Sequence, residues 1–251
     1  MSHPLFTAAI LTLLGAFPAT AQTLTDTELG IIGADLRFGL SNHASEGGSV
    51  SSTVDVAITK HHGLQFDLQY EERSNGGIGR FGTVLYMAPR EGQKYGLSLM
   101  VADKNNKSST YGQIGAVGMF ALSDDVNAEV RAGIGLSTDN DLDWVTAGAG
   151  LHWQATENTR FSGHYDITEF DERNFSAVAH EVTFGVNMRI SNTPAALFAE
   201  VSHDWLSGGN AAGGDTTLRA GVSFALGRSG NDQPSFRVSD PMRQLLRRGL
   251  Y

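Results

Sequence analysis

The chain has 251 residues, a formal net charge of −9 at pH 7 and no cysteine. The missing thiols exclude a disulfide-stapled secreted fold and any thiolate metal site. The acidic charge argues against a nucleic-acid partner.

The first element is an uncharged, mostly apolar run from Leu5 to Phe17, followed by Pro18 and by Ala-Thr-Ala ending at Ala21. This pattern indicates a secretory signal peptide over residues 1–21, although no Lys or Arg precedes the run. The alternative, a membrane anchor, needs about 20 apolar residues, and this run is shorter. The residues that follow suit one large all-β domain or two small ones.

Apolar residues then alternate with period two, which predicts twelve strands, most of about 9 to 12 residues, the length needed to cross a bilayer at a tilt. In chain order the predicted strands are Leu29–Leu40, Val50–Thr59, Leu64–Glu71, Ile78–Ala88, Lys94–Ala102, Tyr111–Leu122, Val126–Ser137, Trp144–Gln154, Arg160–Phe170, Glu181–Ile190, Ala195–Trp205 and Thr216–Leu226.

The connections between these strands alternate in length. Those after even-numbered strands are tight, such as the segment Lys-His-His-Gly at 60–63, whereas those after odd-numbered strands are mostly longer and rich in Gly, Asn and Ser. This alternation is typical of a membrane barrel with short periplasmic turns, longer outer loops and both ends of the sheet in the periplasm. We therefore predict an all-β fold, a transmembrane antiparallel barrel over residues 22–227.

The two faces of the strands differ in chemistry. In the third strand, Leu64 and Phe66 alternate with Gln65 and Asp67, as expected when one face meets lipid and the other water. The fourth and sixth strands are ambiguous in phase. Large aromatic residues lie near strand ends and predict two belts at the membrane interfaces, an outer one of Tyr70, Tyr111, Trp144, Phe170 and Trp205 and a periplasmic one of Tyr95, Phe120, Trp153, Phe161 and Phe224.

On these patterns, from about Leu29 to Leu226, the chain resembles the Gram-negative outer-membrane β-barrels, and within them the small porin-like proteins. The third outer connection is too short for the inward-folded loop of general diffusion porins. The resemblance implies the outer membrane as location, with membrane lipids, lipopolysaccharide, the barrel-assembly machinery and small polar solutes as partners.

Twelve strands enclose a lumen between the filled eight-stranded and the wide sixteen-stranded barrels. We expect a narrow passive channel for small polar solutes or ions, with a net acidic wall that favours cations. The alternative is a non-conducting structural or surface-interaction barrel whose charges pair and fill the interior. The predicted pore-lining residues are Asp35, Arg37, Asp55, Asp67, Glu71, Glu129, Arg131, Asp166, Arg189, Glu200, Asp204 and Arg219.

Outer-membrane phospholipase A also has twelve strands, so a lipid hydrolase is an alternative to the channel. Its His-x-Ser-Asn-Gly element is missing, because Glu72 stands where the histidine should be, and His203 and Ser207 have the wrong spacing. We predict no enzymatic activity and no catalytic residue.

We also predict no metal and no cofactor. His152 and His164 share the inward phase of neighbouring strands, which leaves a small metal or proton site open, but a hydrogen-bonded lumen histidine is the simpler interpretation. Glycine-rich stretches such as that at 77–82 are not followed by a helix, which argues against nucleotide binding.

Residues 228–251 are basic and contain a predicted short helix with Ser239 or Asp240 as its cap and Gly249 at its end. Met242, Leu245, Leu246 and Leu250 are predicted to share its apolar side. We assign this segment as a periplasmic tail. It could lie on the inner leaflet, enter the acidic lumen as a plug, or stay unstructured.

Overall fold

A computed structural model of the protein describes residues 30–43, 46–73, 76–105, 109–138, 142–172, 175–226 and 234–250. The predicted signal peptide and residues 228–233 lie outside these ranges. Within the part of the chain that the structure describes, no helix is long and apolar enough to span a membrane.

Twelve antiparallel strands follow one another around a closed barrel, each paired with its neighbours in sequence. They are β1 (Gly30–Ser41), β2 (Glu46–Thr59), β3 (His62–Arg73), β4 (Ile78–Arg90), β5 (Gln93–Lys104), β6 (Ser109–Ala121), β7 (Val126–Ser137), β8 (Asp143–Thr156), β9 (Thr159–Glu172), β10 (Phe175–Arg189), β11 (Ala195–Ser207) and β12 (Ala212–Leu226).

The barrel closes where β1 pairs with β12, from Ala34 opposite Leu226 to Ser41 opposite Arg219. The predicted twelve-stranded antiparallel barrel is confirmed. The strands extend beyond their predicted ends mainly on the outer side, where β10 begins at Phe175 and β12 at Ala212. Some residues predicted to lie in the outer connections are therefore paired as strand. Their backbone N–H and C=O groups gain hydrogen bonds from the neighbouring strand even beyond the membrane.

The barrel is apolar outside and polar inside. Large side chains such as Leu97, Phe184 and Leu40 are exposed on the outer face, while Gln65 and Glu71 are fully buried on the inner face. Alternate residues of one strand therefore meet two different environments, and the exposed apolar face is the one that lipid would cover.

The last described segment lies inside the barrel. Residues 234–250, here called the lumen segment, run as extended chain to a short helix, α1 (Met242–Arg247). No side chain caps the first turn of α1, but Gly249 ends it with a φ of 63°, and Leu250 N–H donates to Leu245 O at 3.0 Å. This is the αL ending for which glycine is preferred. The described part of the predicted periplasmic tail is thus an interior segment.

The structure also corrects the predicted outer aromatic belt. Tyr111, Trp144 and Phe170 are buried on the inner face, where their rings contact one another in sequence around the wall. They face inward because α1 supplies an apolar partner for them inside the barrel. The periplasmic belt does face outward, with Tyr95, Phe120, Trp153 and Phe161 exposed.

Candidate functional site

The candidate site is the lumen. All twelve residues predicted to line it belong to the inward phase of their strands. Some of them form three groups in which the charged side chains contact one another. Arg37 Nη1 lies 3.2 Å from Glu200 Oε1, and Arg219 Nη2 lies 3.6 Å from Glu71 Oε2.

The third group is centred on Arg131. Its Nε and Nη2 donate to the two carboxylate oxygens of Asp166 at 2.7 and 2.6 Å, and its Nη1 lies 3.5 Å from Glu129 Oε1. Such a two-point guanidinium–carboxylate pair is among the strongest polar contacts in proteins. Arg189 stands apart from these groups, toward the periplasmic end of β10.

The lumen segment enters at the periplasmic end of the wall. Lys94 Nζ, near the start of β5, donates to Pro234 O. Ser235 Oγ donates to Asp55 Oδ2 at 3.1 Å. The buried amide of Gln65 then pairs with both backbone groups of Phe236, accepting from its N–H at 2.8 Å and donating to its carbonyl at 2.9 Å. Gln65 thus serves as a strand-like partner for the segment and fixes its register.

Every charged side chain of the lumen segment meets an opposite charge on the wall. Arg237 Nη2 lies 3.1 Å from Glu181 Oε1, Arg243 Nη2 lies 3.3 Å from Glu71 Oε2, and Arg247 Nη1 lies 3.5 Å from Asp204 Oδ1. The remaining two pairs are Arg248 with Asp204 and Asp240 with Arg80. The basic segment is therefore electrically matched to an acidic wall.

Glu71 is the centre of this charge network. Its fully buried carboxylate contacts wall and segment guanidinium groups together, those of Arg73, Arg80, Arg219 and Arg243. A buried carboxylate is stable only when such partners replace its water. The surrounding guanidinium groups of wall and segment therefore stabilise the ionised form of Glu71.

Apolar contacts hold the segment at both ends. Phe236 packs in a cluster with Val84, Tyr86, Val117 and Met119 near the periplasmic side. Toward the outer side, Met242, Leu245 and Leu246 of α1 pack against a larger set of wall residues that includes Ile78, Met100, Tyr111, Trp144, Phe170 and Leu206. These apolar inner residues explain why β4 and β6 are ambiguous in sequence, since both of their faces carry apolar side chains.

A small cavity separates part of the segment from the wall. A cavity of about 20 Å³ lies beside Arg237 and Val238, lined on the wall side by Met100, Gln113 and Arg131. This is room for roughly one water molecule. The segment therefore occupies the lumen at this level.

Sequence reasoning missed several wall residues that hold the segment, namely Arg80, Lys94, Tyr111 and Glu181. Arg80 and Tyr111 lie on the two strands of ambiguous phase, so no periodicity pointed them inward. Glu181 was recoverable, because it alternates with Val182 and Phe184 on β10, and its burial follows from that phase.

The structure also gives the contacts of the residues that could have served a hydrolase or a metal site, namely His203, Ser207 and His152. His203 Nδ1 lies 2.8 Å from Thr216 Oγ1, so His203 does not pair with Ser207. Ser207 Oγ instead lies 3.0 Å from His180 Nε2 and donates to Val178 O at 3.3 Å. His152 Nε2, inside the lumen, lies 3.1 Å from Glu129 Oε2.

A closed twelve-stranded barrel with an apolar exterior and a charged interior is the architecture of an outer-membrane β-barrel. No family model matches the chain, and no curated protein matches it. Several solved outer-membrane porins and channels share its fold.

The KdgM porin, in complex with disordered oligogalacturonate, matches with a TM-score of 0.53 and 11% identity, covering 76% of this chain and 98% of that one. The NanC porin matches with a TM-score of 0.57 and 11% identity over the same shares of the two chains. An outer-membrane channel from Pseudomonas putida F1 matches with a TM-score of 0.55 and 11% identity, covering 84% of this chain and 100% of that one. At these identities the similarity establishes the fold.

Proposed function

We propose that the protein is a porin-like outer-membrane channel for small polar solutes or ions, and that the lumen segment is its gate. The observation that supports this proposal is that the barrel wall closes without any strand from the segment. The barrel is closed by the hydrogen bonds between β1 and β12, and the segment contributes no strand to it. A chain without the segment would keep the closed wall, around an open lumen lined by charged residues and by the apolar residues that Phe236 and α1 cover.

The wall chemistry supports passage of polar solutes. Without the segment, Glu181 and Asp204 lose their arginine partners and face the lumen as free carboxylates. A lumen lined by unpaired carboxylates attracts cations and raises their local concentration. We therefore infer a preference for cations over anions in the open state.

The closed state is held by two kinds of contact. Burial of side chains such as Phe236 and Leu245 stabilises the docked segment by about 1.5–3 kcal/mol each. The ion pairs add specificity, because removing one partner leaves the other charge buried without compensation. Opening therefore requires a driving force, such as a competing solute or a partner on one side of the membrane.

We further propose that the outer leaflet contact is lipopolysaccharide and that the barrel-assembly machinery inserts the chain. The assembly signal that resembling barrels carry at their last strand would lie in β12, which ends at Leu226 with Phe224 on its outward face.

A lipid hydrolase is not supported by the contacts at Ser207. A nucleophilic serine must give its proton to a neighbouring base. The Ser207 hydroxyl lies 3.0 Å from His180 Nε2, but the other ring nitrogen of His180, Nδ1, lies 2.9 Å from the Tyr165 hydroxyl and so is not oriented by a carboxylate. The His180 ring also stacks on Trp205 at 4.8 Å between centroids. We assign these residues to the outer surface of the barrel and propose no enzymatic activity.

The test compares single-channel conductance of two forms in planar bilayers, the full chain and a chain stopped after Gly227. Heat-modifiable gel migration first establishes that each form is a folded barrel. We expect rare or small steps from the full chain and larger, cation-selective steps from the shortened one. A folded shortened chain that stays silent at high protein load would overturn the channel and support the non-conducting barrel. Equal conductance of the two forms would support the channel and overturn the gate.

A further inference from the structure

Three neighbouring strands bring Glu129, His152 and His164 together on the lumen wall. Glu129 of β7 is opposite Gly150 of β8, and Gly150 is opposite His164 of β9. Glu129 and His164 therefore flank a residue that has no side chain, and His152 lies two positions further along β8. One ligand atom from each of the three residues lies within 4.8 Å of the others, and all three residues are buried.

Gly150 makes the space for this arrangement. A Cβ atom at position 150 would lie 2.3 Å from His164 Nδ1, closer than any side chain allows. The imidazole of His164 thus leans over Gly150, the residue between it and Glu129. His164 is 7% exposed, and its Nδ1 has no hydrogen-bond partner among the described residues. Buried polar atoms are normally paired, so this nitrogen is positioned for a ligand.

The distances fit a metal ion. Ligand bonds of about 2.0–2.1 Å in a tetrahedral zinc site place two ligand atoms roughly 3.3 Å apart. His152 Nε2 and Glu129 Oε2 are 3.1 Å apart. His164 would close the third corner by a movement on the order of 1 Å or more, which a side-chain rotation can supply.

Two guanidinium groups lie near the cluster, those of Arg131 and Arg237, and each is paired with a wall carboxylate, Asp166 and Glu181 respectively. Glu129 uses its other oxygen, Oε1, to accept from Arg237 N–H at 2.9 Å and to face Arg131 Nη1. The Arg131 guanidinium is neutralised by its two-point contact with Asp166. Glu129 Oε2 and the two imidazoles remain as a His–His–Glu set, a ligand set of zinc sites that keep a fourth position open.

From this geometry we propose that Glu129, His152 and His164 form a lumen site for a divalent transition metal, zinc by its ligand set. All three ligands belong to the wall strands β7, β8 and β9, and the lumen segment contributes only the Arg237 N–H that Glu129 Oε1 accepts. The site is therefore independent of whether the barrel conducts, and its failure would leave the proposed channel untouched.

The test uses the full chain, folded in detergent and freed of metal by a chelator. Co²⁺ is the spectroscopic probe, because its visible absorption is strong in a tetrahedral site, and Zn²⁺ is then added as a competitor. We compare the unchanged chain with His164→Gln and His152→Gln, and with His203→Gln as the matched control on the outer surface.

We expect one Co²⁺ per barrel with a tetrahedral spectrum, displaced by Zn²⁺. Affinity should fall at least about tenfold in His164→Gln and His152→Gln and stay unchanged in His203→Gln. Zinc X-ray absorption of the unchanged chain, which needs no variant, should show two imidazole ligands.

No metal uptake by the folded chain would overturn the site. If both ligand variants bind the metal as tightly as the unchanged chain, or if the zinc spectrum shows no imidazole, the metal lies elsewhere and the site is overturned as well.

Discussion

Glu71 of β3 and Arg243 of α1 are 172 positions apart in sequence, yet their side chains meet inside the barrel, with Arg243 Nη2 3.3 Å from Glu71 Oε2. This contact joins the wall to the segment that fills it. Because three wall arginines also contact Glu71, the carboxylate holds four guanidinium groups in one small volume. Glu71 is therefore one of the main wall residues that hold the segment in its docked position.

Glu71→Gln should release the lumen segment. The change removes the carboxylate that four guanidinium groups share, while Arg80 keeps its contact with Asp240. Breaking a buried ion pair in this way costs about 3–5 kcal/mol. We expect faster trypsin cleavage at the arginines of the segment and larger conductance steps than in the unchanged chain. The matched control is Glu72→Gln, the exposed neighbour on the outer face, which should change neither. A Glu71→Gln barrel that is as silent and as protease-resistant as the unchanged chain would contradict the prediction.

Phe236→Ala should loosen the periplasmic end of the segment. Phe236 is 3% exposed, its ring meets that of Tyr86 edge-on at 5.7 Å, and Lys94 Nζ lies 4.8 Å from its centroid. Truncating a buried phenylalanine costs about 3–5 kcal/mol. The measurement is amide hydrogen exchange of residues 234–238 in detergent, which should accelerate. Leu250→Ala, in the same segment but 47% exposed, serves as the control and should leave exchange there unchanged.

Leu97→Arg should impair insertion of the barrel into lipid. Leu97 is 69% exposed on the outer face of β5, within the apolar surface. An arginine facing hydrocarbon costs roughly 2–4 kcal/mol near the bilayer midplane. Reversible unfolding in lipid vesicles should show a loss of that size. Glu91→Arg, in the exposed turn between β4 and β5, should lose less than about 1 kcal/mol, as expected for a site at the interface. An equal loss in both variants would mean that Leu97 does not face lipid.

Ser207→Ala should not change the rate of phospholipid ester hydrolysis. The Ser207 hydroxyl joins strands β10 and β11 at the outer rim, through His180 Nε2 at 3.0 Å and Val178 O at 3.3 Å. We expect phospholipid vesicles to release no fatty acid with either the unchanged chain or the variant, measured by titration at constant pH. Hydrolysis by the unchanged chain that is lost in Ser207→Ala would revive the hydrolase.

The positions of the twelve strands and the facing of β3, β7 and β10 were predictable from the sequence. In those strands an apolar residue alternates with a polar one, and this period of two is a local property that needs no knowledge of distant contacts. The inward placement of Glu129, Arg131 and Glu200 follows from the same rule.

The contents of the lumen were decided only by the tertiary structure. Val84, Tyr86, Val117 and Met119 face inward because Phe236 covers them, and Trp144 faces inward because α1 covers it. An apolar residue that faces a buried segment has the same local pattern as one that faces lipid, so periodicity could not separate the two. The sequence by itself determined the barrel and the polar residues on the inner face of its strands. The burial of the arginines at 237–248 beside Glu71, Glu181 and Asp204 depends on contacts between residues far apart in the chain, which only the closed barrel brings together.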